Sequence, residues 1–168
     1  MCDELGGLIC RAIWFILPAY VANASPVILG GGRAVDGGKK MRDGRPIFGP
    51  GKTIRGIVGG MAAGTVTGII QALLTSSSQY ILVAILLSAG ALIGDLLGSF
   101  IKRRLNIPRG GAAPLLDQLG FVIFAILIAS PFMFPGWEAV VIIMLITPPL
   151  HLATNFIGYK MGVKSRPY

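Results

Sequence analysis

Charge is what this chain has least of. Asp, Glu, Lys and Arg together make up 13% of its 168 residues, about half the share found in soluble globular domains. Set against 54% hydrophobic residues, that scarcity excludes an ordinary water-soluble fold. It leaves an all-α integral membrane bundle of one domain, residues 1–168. Histidine occurs once, at His151, which excludes a histidine-type lipid phosphatase, because that chemistry needs a second reactive imidazole. Cys2 and Cys10 are the only cysteines. On a helix they lie about 12 Å apart, too far for a disulfide, so both read as apolar filler. A basic stretch before the first apolar run is missing, since that run opens with Asp3 and Glu4, and no clean small-residue cleavage site follows. The run is therefore expected to be a retained span, not a signal peptide.

What the chain does have is long apolar segments. Five are long enough to cross about 30 Å of hydrocarbon, near 5–29, 54–74, 79–100, 115–134 and 138–159. The cations then orient them. Arg33, Lys39, Lys40, Arg42, Arg45, Lys52 and Arg55 follow the first span; Lys102, Arg103, Arg104 and Arg109 follow the third; Lys160, Lys164 and Arg166 close the chain. With five spans these fourteen of fifteen cations share one face, and only Arg11 is left for the other. The positive-inside rule makes the crowded face cytoplasmic, with the N-terminus outside and the C-terminus inside. A net charge of +8 placed this unevenly follows membrane topology and does not indicate nucleic acid.

Glycine recurs every fourth residue at Gly56, Gly60, Gly64 and Gly68, and again at Gly90, Gly94 and Gly98. Small residues at that spacing let helix backbones approach closely. Packing within the chain is the plainer use of these rows, and the seam of a homodimer is the other.

Two acids interrupt this background. Asp95 lies near the end of the third span and Asp117 near the start of the fourth. An ionisable group in a membrane segment costs roughly 2.5–3.5 kcal/mol at mid-bilayer and marks a functional candidate. Asp95, Ser99 and Lys102 stand at i, i+4 and i+7, so on a helix they share a face. Carboxylate, hydroxyl and ammonium in one line suit a hydrated divalent cation holding phosphate oxygens. Mg²⁺ takes one or two carboxylates and completes its octahedron with water and substrate phosphates, and Asp117 can supply the second carboxylate. The structural alternatives are an ion pair of Asp95 with Lys102 or Arg103, and Asp117 as a first-turn acid complementing its helix dipole after Pro114.

The first basic loop ends Gly49-Pro50-Gly51-Lys52-Thr53-Ile54-Arg55-Gly56. Gly51-Lys52-Thr53 imitates the end of a P-loop, but the glycine required five residues earlier is Pro46, and no strand precedes it. The physics is still that of phosphate binding: glycines expose backbone N–H groups at a helix N-terminus, and Lys52 and Arg55 add charge. Arg33 to Arg45 are assigned to anionic lipid contact. Asn23-Ala24-Ser25 spells a glycosylation sequon, but its place at the cytoplasmic end of a span makes Asn23 an intramembrane polar group instead. His151 and Asn155, at i and i+4 after Pro148-Pro149, read as a polar knot at a helix kink.

Three motifs in order, Gly49-Pro-Gly-Lys-Thr-Ile-Arg-Gly56, Gly94-Asp-Leu-Leu-Gly-Ser-Phe-Ile-Lys-Arg-Arg104 and Pro114-Leu-Leu-Asp-Gln-Leu-Gly-Phe121, resemble the archaeal CDP-archaeol synthases, membrane cytidylyltransferases related to the CDP-diacylglycerol synthases. The resemblance implies a reaction: CTP and 2,3-bis-O-geranylgeranylglyceryl phosphate, an isoprenoid glyceryl ether phosphate lipid, give CDP-archaeol and pyrophosphate with Mg²⁺ required. It further implies roles. Asp95 and Asp117 would hold the metal; Lys52 and Lys102 would neutralise pyrophosphate; Thr53 and Ser99 would donate hydrogen bonds, with Arg55 in support; Asn23 and Gln118 would read the cytosine or ribose. The relatives' histidine-containing glycine stretch is replaced here by Asp117-Gln118.

A small transporter or channel is the alternative from another class, but transporters place ionisable groups near the midplane between internal repeats, and no repeat relates the halves of this chain. The dense acid string of a CDP-alcohol phosphotransferase is also missing.

Overall fold

Apolar helix formers punctuated by Pro and Gly dictate six helices: α1 (Cys2–Ala24), α2 (Pro26–Leu29), α3 (Ile54–Thr75), α4 (Gln79–Arg104), α5 (Leu116–Ala129) and α6 (Trp137–Lys160). The computed structural model describes residues 2–108, 110–111 and 113–162, with side chains from Glu4 onward. The Cys2 side chain, Arg109, Lys164 and Arg166 therefore lie outside the described residues. Among those described there is no strand, only two isolated bridges, Ala34 with Thr53 and Lys40 with Pro46. Cys10 is exposed and free.

Among the described residues, four helical stretches are long and apolar enough to cross a membrane: Glu4–Leu29, Ile54–Thr75, Gln79–Arg104 and Trp137–Lys160. The first is interrupted at Ser25, whose backbone stays helical at φ −57° and ψ −35°, because Pro26 at the start of α2 has no N–H to continue the hydrogen-bond ladder. The expected span 115–134 is the one that differs. Its helix, α5, covers 14 residues, about 21 Å. Pro131 cannot donate to the helix, and the N–H groups of Phe132 and Met133 both turn back to the Ala129 carbonyl at 3.0 Å. Residues 132–135 keep the hydropathy high without continuing the helix.

The glycine rows are used inside the chain. Gly56, Gly60, Gly64 and Gly68 form the buried stripe of α3, while Val58, Val66, Leu73 and Leu74 stay exposed on its outer face. A Cβ on Gly60 would come within 2.6 Å of the Ala22 carbonyl oxygen, and one on Gly68 within 2.2 Å of the Ala84 Cβ. On α4 a Cβ at Gly90 would meet the Phe124 carbonyl at 2.5 Å and Ala125 Cα at 2.6 Å. α4 is consequently the central helix, packed against α1, α3 and α5, while α6 rests on α1 and α5. Ile16, Leu87, Val122 and Ile143 are fully buried where these helices meet. Thus the end of α4 lies beside the starts of α3 and α5, and the basic loops gather at one end of the bundle.

These contacts rank the glycines. Gly90→Ala drives a methyl into α5 backbone and is expected to destabilise the protein by about 1–3 kcal/mol, seen as a fall in the thermal midpoint in detergent. Gly98→Ala, whose added methyl would meet Leu116 at an ordinary 3.8 Å, should be tolerated. Equal midpoints for the two variants would refute close packing at the α4–α5 crossing.

Candidate active site

The loop between α2 and α3 is built on one carboxylate. Asp36, 7% exposed, accepts from the backbone N–H of Gly38 at 3.0 Å, Phe48 at 3.0 Å and Gly49 at 2.9 Å. Desolvation alone would raise its pKa, but the three donors outweigh it and hold the carboxyl below the ordinary aspartate range. Ala34 bridges Thr53, and the N–H of Ile54 reaches the Arg33 carbonyl at 3.0 Å, so the loop returns against the start of α3. Arg104, from the last turn of α4, clamps its outer part. The guanidinium meets the Asp43 carboxylate at 2.6 Å and the carbonyls of Arg45 at 3.3 Å and Pro46 at 2.5 Å. Arg45 answers by donating to the Arg104 carbonyl at 2.5 Å, which ties this cation to the end of α4.

Thr53 caps α3. Its Oγ1 accepts from Gly56 N at 3.1 Å and from Gly31 N at 3.2 Å, filling both acceptor positions of the hydroxyl while its proton can still donate. With Ile54 N on Arg33 O, two first-turn donors are thereby occupied, contrary to the expectation that this helix start presents its backbone N–H groups to phosphate. What the segment turns inward is the Lys52 ammonium.

That ammonium meets Asp95 Oδ2 at 2.5 Å, a partner 43 residues away. The ion-pair alternative named Lys102 or Arg103 for Asp95, and both give way to Lys52. Lys102 instead reaches Asp117 Oδ1 at 2.7 Å. Asp117 Oδ2 accepts from Ala113 N at 3.0 Å, closing a turn that enters α5 through Leu115 at φ +67°. α4 therefore gives an acid to the α3 side and a base to the α5 side. Both pairs are partly exposed, with the carboxylates at 33% and 27%.

Lys52, Thr53, Asp95, Asn23 and Gly51 line one cavity of about 200 Å³, with His151 opposite. Five other expected residues do not line it: Lys102 and Asp117 pair with each other on the α5 side, Arg55 is exposed, Ser99 is buried on α4, and Gln118 sits half-buried in the first turn of α5. A second cavity of about 260 Å³ lies between α1, α2, α5 and α6, walled mostly by apolar side chains such as Val27, Ile28, Phe121, Leu150 and Ile157. Asn23, Val27 and His151 line both. Sequence reasoning assigned His151 to a kink and missed its place at this junction; its being the sole histidine, inside a span, was the available signal. Among the described residues no group of three metal-ligating side chains occurs.

The comparisons with known proteins come to the same place. Residues 5–168 match the CarS-like family model, described as CDP-archaeol synthase. The chain is 53% identical to a CDP-archaeol synthase of Thermococcus gammatolerans, over 94% of this chain and 95% of that one. It is 52% identical to one from Pyrococcus abyssi over 95% and 98%. A solved structure of an intramembrane enzyme for archaeal membrane lipid biosynthesis aligns with a TM-score of 0.82 at 42% identity, covering 88% of this chain and 94% of that one.

The Asp36 hub has a testable sign. A carboxyl held low in the folded state contributes stability that is complete above its unfolded pKa and is lost as pH falls through the folded value, below 3.8. Asp36→Ala leaves three backbone donors without their acceptor, and protease cleavage between residues 39 and 47 at neutral pH is expected to quicken about tenfold. An unchanged cleavage rate would show that the loop does not depend on this hub.

Proposed function

This chain belongs to the CDP-archaeol synthase family and is a membrane cytidylyltransferase of lipid biosynthesis, and from that premise we propose that CTP binds in the charged cavity at Lys52 and Asp95. The observation that carries the placement is the shared wall: a charged cavity and an apolar groove meet at Asn23, Val27 and His151. One substrate is a nucleoside triphosphate and the other a phosphate with two hydrocarbon tails, so the site has to join two such compartments. Family membership leaves the transporter or channel reading without support.

An oxygen of the lipid phosphate attacks the α-phosphorus of CTP in line. A new P–O bond forms, the bond from the α-phosphorus to its bridging oxygen breaks, and pyrophosphate leaves with the electron pair. A phosphate monoester is already a nucleophile at neutral pH, so no side chain has to remove a proton. Catalysis then rests on positioning and charge neutralisation. Lys52 and Lys102 neutralise the departing pyrophosphate, exchanging their carboxylate partners for phosphate oxygens. Thr53, and more remotely Ser99, donate hydrogen bonds, and Arg55 supports the approach of the anion from its exposed position. Asn23, at the cavity wall, and Gln118 contact the cytosine or ribose.

The carboxylates Asp95 and Asp117 fit a magnesium ion by donor type, because hard oxygens are what that ion takes, and a pair suffices when phosphates and water complete the shell. Each is paired with a lysine in this structure, which would have to give way to the metal. When bound there, magnesium would supply neutralisation of triphosphate charge.

The orientation follows from charge: five membrane passes, α5 being the short one, with the N-terminus outside and the cation-rich loops, C-terminus and site facing the cytoplasm. The apolar groove between α1, α2, α5 and α6 takes the isoprenoid tails from the inner leaflet.

Detergent-purified protein, labelled CTP, Mg²⁺ and a diether glyceryl phosphate provide the assay. Asp95→Asn and Asp117→Asn are each expected to lower kcat by at least about a hundredfold at an unchanged elution profile, and near-normal turnover in either variant would remove it from the site. For orientation, Lys40→Cys and Glu138→Cys in a background free of Cys2 and Cys10 should label from opposite sides of sealed vesicles; labelling from one side would overturn the topology.

A further inference from the structure

His151 stands at the seam of the two cavities, and no step above uses it. It follows Pro148 and Pro149 on α6, where two missing backbone donors interrupt the helix ladder. One turn further on, buried Asn155 places its Nδ2 3.3 Å from His151 Nδ1. An amide NH₂ can only donate, so Nδ1 accepts, and a neutral ring so held carries its proton on Nε2. Phe121 flanks the ring, with centroids 6.4 Å apart. The imidazole is thus fixed in tautomer by one neighbour and flanked in orientation by another, an arrangement that a helix-kink filler does not need.

A lipid phosphate with its tails in the apolar groove must put its charged head where that groove opens onto the charged cavity. Of the three residues lining both, Val27 is apolar, and Asn23 and His151 alone bring hydrogen-bonding side chains. Nine residues separate His151 from Lys160 at the end of α6, and nine separate Asp95 from Arg104 at the end of α4, so the two lie at matching depth from the basic end. We infer that His151 holds the phosphate of the acceptor lipid, donating from Nε2, and that Asn155 is a positioning residue that keeps the proton there. The ligand class is a phosphate monoester bearing two long apolar chains. This rests on the reading that the acceptor is a lipid phosphate with its tails in the apolar groove; the placement of CTP is tested separately below.

The experiment compares His151→Leu, His151→Gln and Lys52→Ala with the unaltered protein, using a diether glyceryl phosphate in mixed micelles. His151→Leu is expected to raise the KM for the lipid by about tenfold, the loss of one hydrogen bond to a charged group. The KM for CTP and the thermal shift induced by Mg–CTP should stay within about twofold, which also shows that the variant is folded. His151→Gln, which keeps an N–H donor, should recover most of the lipid affinity. An unchanged lipid KM, a lost response to CTP, or a glutamine variant no better than leucine would overturn the assignment. If Lys52→Ala keeps the normal KM for CTP while His151→Leu still loses lipid, the nucleotide placement fails and the lipid-phosphate role of His151 stands.

Discussion

Where α4 crosses α5, the Gly120 carbonyl and the Phe121 Cα occupy the space that a side chain on Gly94 would need, at 2.7 and 2.8 Å from an added Cβ. Two helices in backbone contact cannot slide or rotate independently, so this crossing sets the angle at which the next residue, Asp95, leaves α4. The same helix is held from its other side by Gly64 and Gly68 of α3, through Ser88 and Ala84. The two lysine–aspartate pairs form where this close packing sets the end of α4 beside the starts of α3 and α5.

Those pairs are partly exposed, the lysines at 27% and 14% and the carboxylates at 33% and 27%, so water and an arriving anion reach them. On the proposed placement, a triphosphate entering the cavity would offer Lys52 a stronger anionic partner than Asp95 and free that carboxylate. α4 supplies the acid of one pair and the base of the other. Family membership establishes the reaction; the crossed pairs are the state in which the protein without substrate holds these charges.

Much of this was legible in the sequence, and the gaps have physical causes. The glycine rows announce close packing because a four-residue period is local information. Which helix each row meets is not local, and so the choice between an internal contact and a dimer seam stayed open. Asp95 was visible as an acid inside a span, but periodicity names only neighbours on the same helix, and it offered Lys102 where the fold brings Lys52 across from a loop. The length of α5 was overestimated because hydropathy scores Phe132 and Phe134 as readily in a turn as in a helix. The P-loop likeness drew attention to Lys52, which the fold sets against Asp95, yet it pointed to backbone donors that Thr53 and Arg33 occupy. The place of His151 at the junction of two cavities was hidden because it depends on α1, α2 and α6 meeting, which spacing along α6 does not report.

The brevity of α5 has a mechanical consequence for the surrounding lipid. Its 14 residues fall about 9 Å short of a normal hydrocarbon slab, and irregular backbone is not tolerated against acyl chains. On the proposed topology that shortfall falls at the Pro131 end, on the side away from Asp117. A short segment is accommodated by a thinner slab or by its neighbours, and α4 and α6, which pack against α5, are 26 and 24 residues long.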